Sequence, residues 1–419
     1  MAERTTRMFL QLKKLGPGLL FAATAVGVSH LVQSTRAGAK FGLTLSALIV
    51  LACIIKYPAF RFGSEYSAYT GESVIAGYER QGRWLLVLVL LATIIEGVGV
   101  IPAVGLVTAG LSMNLLTFNA NAILVTMIIV LAASIVLLLG RYKILENITR
   151  VFVVVFSVLT VVAAVAAATK LANGQPLSAP FDINEQNLFF SVSIAGWMPV
   201  GLSCSIFLSL WVIARGHLQG RPVTPEEARF DFNVGYITTL LLALCFLLMG
   251  TALLFNSGTE IAESSVGFAA QLVSLFTQSI GQWAQLVVGV AALAVMLSTV
   301  LAVVDGFPRV YANIVYRLMK TDPGSWDEDR LYQGFLGLQT VTTFMILVFL
   351  LRSFGTFIDF ITALGFMAAP IIAFLNHRIM FSVDLAATQR PAAWLRYWSV
   401  AGITVLTVVF PIYLYFQIT

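Results

Sequence analysis

Apolar runs of about 20 residues recur along nearly the whole chain, each long enough to cross a hydrocarbon layer about 30 Å thick. They predict eleven helical spans near 17–36, 43–62, 84–113, 120–139, 147–170, 188–214, 233–255, 282–304, 333–351, 356–375 and 396–416. The polar connections test that count, because cytoplasmic loops collect Lys and Arg. With the N-terminus cytoplasmic, 21 of the 25 Lys and Arg fall on the cytoplasmic side, among them Arg4, Arg7, Lys13, Lys14, Arg80, Arg83, Arg141, Lys143, Arg215, Arg221, Arg317, Lys320, Arg378 and Arg390. Arg36, Lys40, Lys170 and Arg352 fall outside it. Dropping one span or inverting the chain destroys the bias, so the C-terminus is expected to be external. The reading is an all-α polytopic protein of a cell (inner) membrane, one transmembrane domain over 1–419.

Composition agrees. The 419 residues are 59% hydrophobic and 11% charged, with mean hydropathy +0.90, where a soluble protein carries roughly a quarter charged residues. The net charge of +5 implies contact with anionic lipid headgroups of the bilayer and no nucleic acid partner. Cys53, Cys204 and Cys245 all lie in spans, so no disulfide framework is expected. The N-terminal stretch looks like a signal peptide, but its removal would break the charge pattern. Asn147-Ile148-Thr149 is a sequon on the cytoplasmic side. No glycine-rich phosphate loop with Lys is present, hence no ATPase engine, and no nucleophile and base pattern indicates an enzyme.

Two spans carry their own interruptions. The first has Gly27 beside the polar pair Ser29 and His30; the sixth clusters Gly196, Pro199 and Gly201 at its centre. Proline removes a donor and glycine lowers the cost of unwinding. Unwound backbone at that depth survives only inside protein or against a water-filled cavity. The breaks lie five spans apart, and an odd repeat inverts its second copy, as in the inverted-repeat transporters.

The stretch from Gly16 runs Gly-Pro-Gly-Leu-Leu, six further residues, Gly27-Val28-Ser29-His30, then four residues before Thr35-Arg36-Ala37-Gly38-Ala39-Lys40-Phe41-Gly42. Span 3 holds Ile95-Glu96-Gly97-Val98-Gly99, and span 8 holds Asp305-Gly306-Phe307-Pro308-Arg309. In these elements and their spacing the chain resembles the natural resistance-associated macrophage protein (NRAMP) family of proton-coupled divalent metal transporters. The resemblance implies the LeuT fold: inverted repeats over about 16–171 and 187–376, an extra helix at about 396–416, and helices 1 and 6 broken. It also implies substrate binding at the breaks and alternating access.

The metal site is where the sequence departs. Where the family has Asp-Pro-Gly-Asn, this chain has Gly27, Val28, Ser29 and His30. Where it has Met-Pro-His, this chain has Met198, Pro199 and Val200. Asp322-Pro323-Gly324 spells the missing triplet but sits in a cytoplasmic loop. A divalent cation near the midplane needs countercharge, and hard ions want oxygen ligands. These positions offer an imidazole, a hydroxyl, a thioether and backbone carbonyls. A half-helix N-terminus favours negative charge instead, and Ser29, Ser203 and Ser205 add hydroxyls.

The expected substrate-binding residues are therefore Gly27, Val28, Ser29, His30, Met198, Pro199, Val200, Gly201 and Ser203, with His30 and Glu96 as coupling or gating groups. The expected cargo is a small anion such as bicarbonate or a short carboxylate, or a polar solute. The alternatives are a divalent metal held by His30 and Met198, and a non-transporting sensor or channel. No cofactor is expected; H⁺ or Na⁺ is the coupling ion. His30, Met198 and Glu96 each also have a structural reading, as interhelical glue, filler of the break and a satisfied hydrogen bond. Asp305 and Arg309 read as an ion pair within one helix. Arg36 reads as an anion-steering or anchoring group, Asp359 as a solvated one, and Trp197 and Trp211 as packing or lining residues.

Overall fold

The computed structural model describes residues 16–140, 142–171, 176–255, 257, 259–319, 327–351, 353–382, 385–386 and 389–418. Arg4, Arg7, Lys13, Lys14, Arg141, Lys320, Arg352 and the Asp322-Pro323-Gly324 triplet lie outside these residues, as do the side chains of 142–150.

Among the described residues, seven helices are long and apolar enough to cross a membrane. They contain α3 (Ser46–Thr70), α5 (Arg83–Leu115), α7 (Tyr142–Ala168), α10 (Pro225–Gly250), α12 (Ala284–Met319), α13 (Glu328–Phe349) and α14 (Phe354–Met380). These correspond to spans 2, 3, 5, 7, 8, 9 and 10 of the sequence reading. The fourth and eleventh spans fall on α6 (Ala122–Leu138) and α15 (Ala393–Ile418). Span 1 divides into α1 (Pro17–Ala25), a π-helical turn over Ser29–Ser34 and α2 (Thr35–Phe41). Span 6 divides into α8 (Glu185–Trp197) and α9 (Cys204–Gln219).

Two helices lie outside the expected spans. The short α4 (Val74–Gln81) follows α3, and α11 (Ser265–Ile280) fills the connection after span 7. The latter is too short to stand out among 20-residue apolar windows. Its buried Phe268, Ala269, Leu272, Val273, Leu275 and Phe276 nonetheless form one face at helical spacing, and the Ser264 hydroxyl caps its first turn.

The outer surface is apolar in stripes. On α6, Leu124, Ile128, Leu131, Ile135 and Leu138 stand exposed three or four residues apart, a face that only lipid or another apolar surface would cover. Several polar side chains turn inward and bond to backbone or to side chains of other helices.

Asp231 on α10 organises the start of span 1. Pro17 begins α1 without a side-chain cap of its own. The Asp231 carboxylate instead accepts from the amides of Gly16 at 2.9 Å and Gly18 at 2.8 Å, and Arg215 on α9 pairs with it at 3.2 Å. A carboxylate at a helix N-terminus satisfies orphan donors and complements the dipole. The crossing has room for nothing larger than glycine: a Cβ on Gly18 would sit 1.9 Å from the Asp231 carbonyl oxygen, and one on Gly235 would sit 2.2 Å from that of Gly18.

Asp231→Ala therefore strips the cap and leaves Arg215 without this partner. It should lower stability by about 3 kcal/mol or more, measured by thermal unfolding of the purified protein in detergent. Arg215→Ala keeps both amide bonds to Asp231 and should cost less.

Candidate functional site

The breaks in spans 1 and 6 meet at a small, partly enclosed cavity. Its volume is about 30 Å³, room for one or two water-sized groups. Its walls combine Val28 and Ser29 from span 1, Trp197, Val200, Gly201 and Cys204 from span 6, and Glu96 from α5. Thr24 and Thr299 add hydroxyls, and Val100, Val104, Phe207, Val303 and Phe307 close it with apolar surface.

Glu96 supplies a carboxylate that the residues at the two breaks lack. It is 3% exposed and accepts a hydrogen bond of 2.5 Å from the Ser203 hydroxyl. Ser203 is the N-cap of α9 and has no side-chain bond to its own helix. The carboxylate thus occupies the positive end of the second half of span 6, the position where free amides would attract an anion. Gly201 permits this approach: a Cβ there would fall 1.7 Å from Glu96 Oε1.

Ser29 Oγ lies 2.9 Å from the Ala25 carbonyl, 3.1 Å from that of Pro199 and 2.8 Å from His30 Nδ1. A single hydroxyl proton serves one of these at a time, and the hydroxyl links the two breaks directly. His30 is fully buried but is not among the cavity's lining residues. Its Nε2 donates to the Thr239 carbonyl on α10 at 2.8 Å; a carbonyl can only accept, so in the neutral ring Nδ1 is the acceptor for Ser29. The imidazole therefore ties span 1 to α10. Gly27 packs under Thr299, whose hydroxyl donates to Ala23 at 2.9 Å.

Of the other expected site residues, Met198 is fully buried and is not a lining residue, and Pro199 contributes its carbonyl. Ser205 turns away from the cavity and accepts from Asn376 at 2.9 Å. Trp197 lines the cavity with its indole N–H buried and unpartnered. Trp211 packs against Phe207 with ring centroids 6.0 Å apart. Asp305 and Arg309 form the expected pair at 2.6 Å within α12, joined by the Tyr332 hydroxyl at 2.7 Å.

On the side of the cavity toward α2, Arg36 grips Asp359 of α14 with two bonds of 2.7 and 3.0 Å. Gln33 Nε2 lies 2.9 Å from Asp359, 3.1 Å from the Thr362 hydroxyl and 3.1 Å from that of Ser193 on α8, three acceptors that share its two N–H donors. Asp359, expected to meet water, is instead 13% exposed within this ion pair. Asp231 and Arg215 fasten the other side.

Lys56 and Gln33 have no part in the sequence reading of the site. Lys56 falls near the predicted cytoplasmic end of span 2 and is counted there with the loop residues. The actual helix extends to Thr70, which carries Lys56 into its middle. Gln33 is a neutral residue in an apolar run, and polarity at that depth was its available signal.

Among the described residues no group of three or more His, Cys, Asp or Glu is placed to hold a metal ion. The cavity offers one carboxylate, hydroxyls and a thiol.

No family model matches the chain. An uncharacterized protein of Pasteurella multocida (strain Pm70), PM0681, is 30% identical over 402 residues, covering 94% of this chain and 90% of its own length. Among solved structures, a manganese transporter of Eremococcus coleocola is similar with a TM-score of 0.66 at 15% identity, over 94% of this chain and 84% of that one. MhsT in complex with L-phenylalanine is similar with a TM-score of 0.65 at 12% identity, over 95% of this chain and 98% of that one. A Na⁺-coupled sialic acid symporter in its outward-open state gives 0.60 at 13% identity, over 94% and 87%. These are transporters of the LeuT fold, not enzymes, the first of them from the NRAMP family; the chain shares their fold.

The fit of Glu96 over Gly201 yields a double-mutant test. The atoms nearest a Cβ at Gly201, out to 3.6 Å, belong to Glu96. Gly201→Ala alone should cost about 1–3 kcal/mol in thermal unfolding, as overpacking does. In a Glu96→Ala background the same change should cost much less.

Proposed function

Because the chain belongs to the family of the Pasteurella multocida protein PM0681 and shares the LeuT fold, we propose that it is a multi-pass secondary transporter of the inner membrane. It works by alternating access and carries a small anion, bicarbonate or a short carboxylate, together with a proton held on Glu96. The N-terminus is cytoplasmic and the C-terminus external.

The observation that carries this reading is the Glu96 carboxylate, which lines the cavity and accepts from Ser203 behind it. An anionic substrate is a chemical match for the group already there. While Glu96 is ionised it holds the N-terminal end of α9 and repels a second anion. Once protonated it loses that charge, and the substrate's carboxylate takes over the Ser203 hydroxyl and the helix dipole. Proton and anion then travel together, and neither is bound without the other. The hydroxyls of Thr24, Ser29 and Thr299 donate to the protein itself and so offer acceptor lone pairs, a match for the hydroxyl of bicarbonate or of a protonated acid. The cavity's size selects solutes of very few atoms.

Access alternates by release of one fastening at a time. Arg36, Asp359 and Gln33 hold α2 to α8 and α14 on the external side. Asp231 and Arg215 hold α1 to α9 and α10 on the cytoplasmic side. Opening either exposes the cavity while the other keeps it sealed.

A divalent metal is the second reading, favoured by the likeness to the Eremococcus coleocola manganese transporter. It requires ligands other than His30, whose ring nitrogens face Ser29 and Thr239, and rests on Glu96 with Cys204. Accumulation against a gradient separates either transporter from a channel or sensor.

The test is uptake by purified protein in liposomes, with labelled bicarbonate or formate and with Mn²⁺, under imposed H⁺ and Na⁺ gradients. The expected result is saturable anion uptake driven by an inward proton gradient, with no Mn²⁺ uptake. Glu96→Gln, a mimic of the protonated side chain, should abolish the response to the proton gradient while leaving exchange of labelled anion across the membrane intact. Saturable Mn²⁺ uptake with no anion uptake would overturn the anion reading.

A further inference from the structure

Lys56 sits in the middle of α3, 1% exposed, and its Nζ donates to the carbonyls of Ala195 and Gly196 at 2.6 Å each. Those carbonyls close the first half of span 6: α8 ends at Trp197, and the chain leaves the helix in an extended conformation at Met198. The last four carbonyls of a helix have no partner within it, and together they form its negative end. A carbonyl pair at a helix end, buried at membrane depth and aimed at one point, is the arrangement that unwound transporter helices present to a bound monovalent cation. Here that point is filled by a side chain.

We propose that Lys56 is the resident cation of the span 6 break: its ammonium holds the place that a free monovalent ion would take on the Ala195 and Gly196 carbonyls, so the transport cycle runs without Na⁺. An ammonium and a small alkali ion carry the same charge, and both accept carbonyl oxygens as neighbours. Tethering the charge to α3 removes the entropic cost of capturing an ion and makes occupancy independent of the ion's concentration. It also fixes α8 against α3 through a contact that Na⁺ could not supply. Each end of the break thus meets a side chain from another helix, Lys56 on the outgoing carbonyls and the titrating Glu96 on the incoming helix.

Lys56 is a positioning residue in this account. The inference bears on the coupling ion of the proposed transporter, but its main test needs no transport. Full-length protein in detergent is unfolded thermally in NaCl, KCl, methylammonium chloride and N-methylglucamine chloride at equal ionic strength. The wild type should unfold at the same temperature in all four. Lys56→Ala, which empties the site, should unfold at a lower temperature in N-methylglucamine and recover by about 3 °C or more in methylammonium or Na⁺. Lys56→Met, which fills the space without charge, should be lowered in all four salts without recovery.

Na⁺-specific stabilisation of the wild type would overturn the inference. So would a loss in Lys56→Ala that no small cation recovers, the mark of a purely structural lysine. If Lys56→Ala fails to fold, the wild-type comparison decides, joined by uptake in liposomes: Na⁺-stimulated uptake of any substrate contradicts the proposal and Na⁺-indifferent uptake upholds it. Failure of bicarbonate and formate as substrates would strike the anion reading and leave the unfolding result intact.

Discussion

Backbone amides and carbonyls at the end of a helix want partners, and a helix that stops halfway across a bilayer finds neither water nor a neighbouring turn to provide them. In this protein two spans stop there, and the partners come from other helices. Glu96 of α5 meets the start of α9 through Ser203, Lys56 of α3 meets the end of α8, and Ser29 bridges one break to the other through the Pro199 carbonyl. The rest of the arrangement follows from satisfying those groups. Gly201 is needed so that a carboxylate fits beside the backbone, and His30 bonds Thr239 so that span 1 keeps its place beside α10.

The cavity is what remains between these bonded groups. Its polar walls are hydroxyls and one carboxylate, its other walls are valine and aromatic carbon, and both ways out are fastened by ion pairs. A pocket so small and so nearly apolar binds by a few directed contacts, because dehydrating a charged solute has to be offset by partners already in position. An anion and a proton satisfy that condition together, since the proton removes the charge that Glu96 would otherwise set against the incoming one. Among the proteins this chain resembles in fold are a manganese transporter, MhsT with bound L-phenylalanine and a sialic acid symporter.

Much of the fold was legible in the sequence because bilayer thickness imposes a length on apolar runs and the loops sort Lys and Arg. The breaks were legible because Gly27, Pro199 and Gly201 are out of place in an uninterrupted apolar helix. The contents of the site were less so. Glu96 was visible as a buried acid flanked by glycines, but its meeting with Ser203 joins residues 107 positions apart, which no local pattern encodes. His30 has a polarity that marks it as important and nothing that tells which way the ring points; that depends on the Thr239 carbonyl of α10. Lys56 was concealed by its position, since a lysine a few residues inside a helix end usually extends to the headgroups, and the extra turns of α3 that prevent it come from tertiary packing. Arg36 and Asp359 lie 323 positions apart, and their pairing depends on how the two bundles close.

The most direct measurement uses a thiol that the chain already has. Cys204 lines the cavity beside Glu96 and Ser203, so its reactivity reports whether a solute is bound there. In a Cys53→Ser, Cys245→Ser background, the rate at which Cys204 reacts with dithiodipyridine, a disulfide that accepts thiols at acidic pH because its leaving group is a protonated pyridinethione, is measured with and without formate or bicarbonate, and again with Mn²⁺. The account predicts that the small anions slow the reaction in a saturable manner and that Mn²⁺ does not. Protection by Mn²⁺ alone, or a rate indifferent to every one of these solutes, would contradict it.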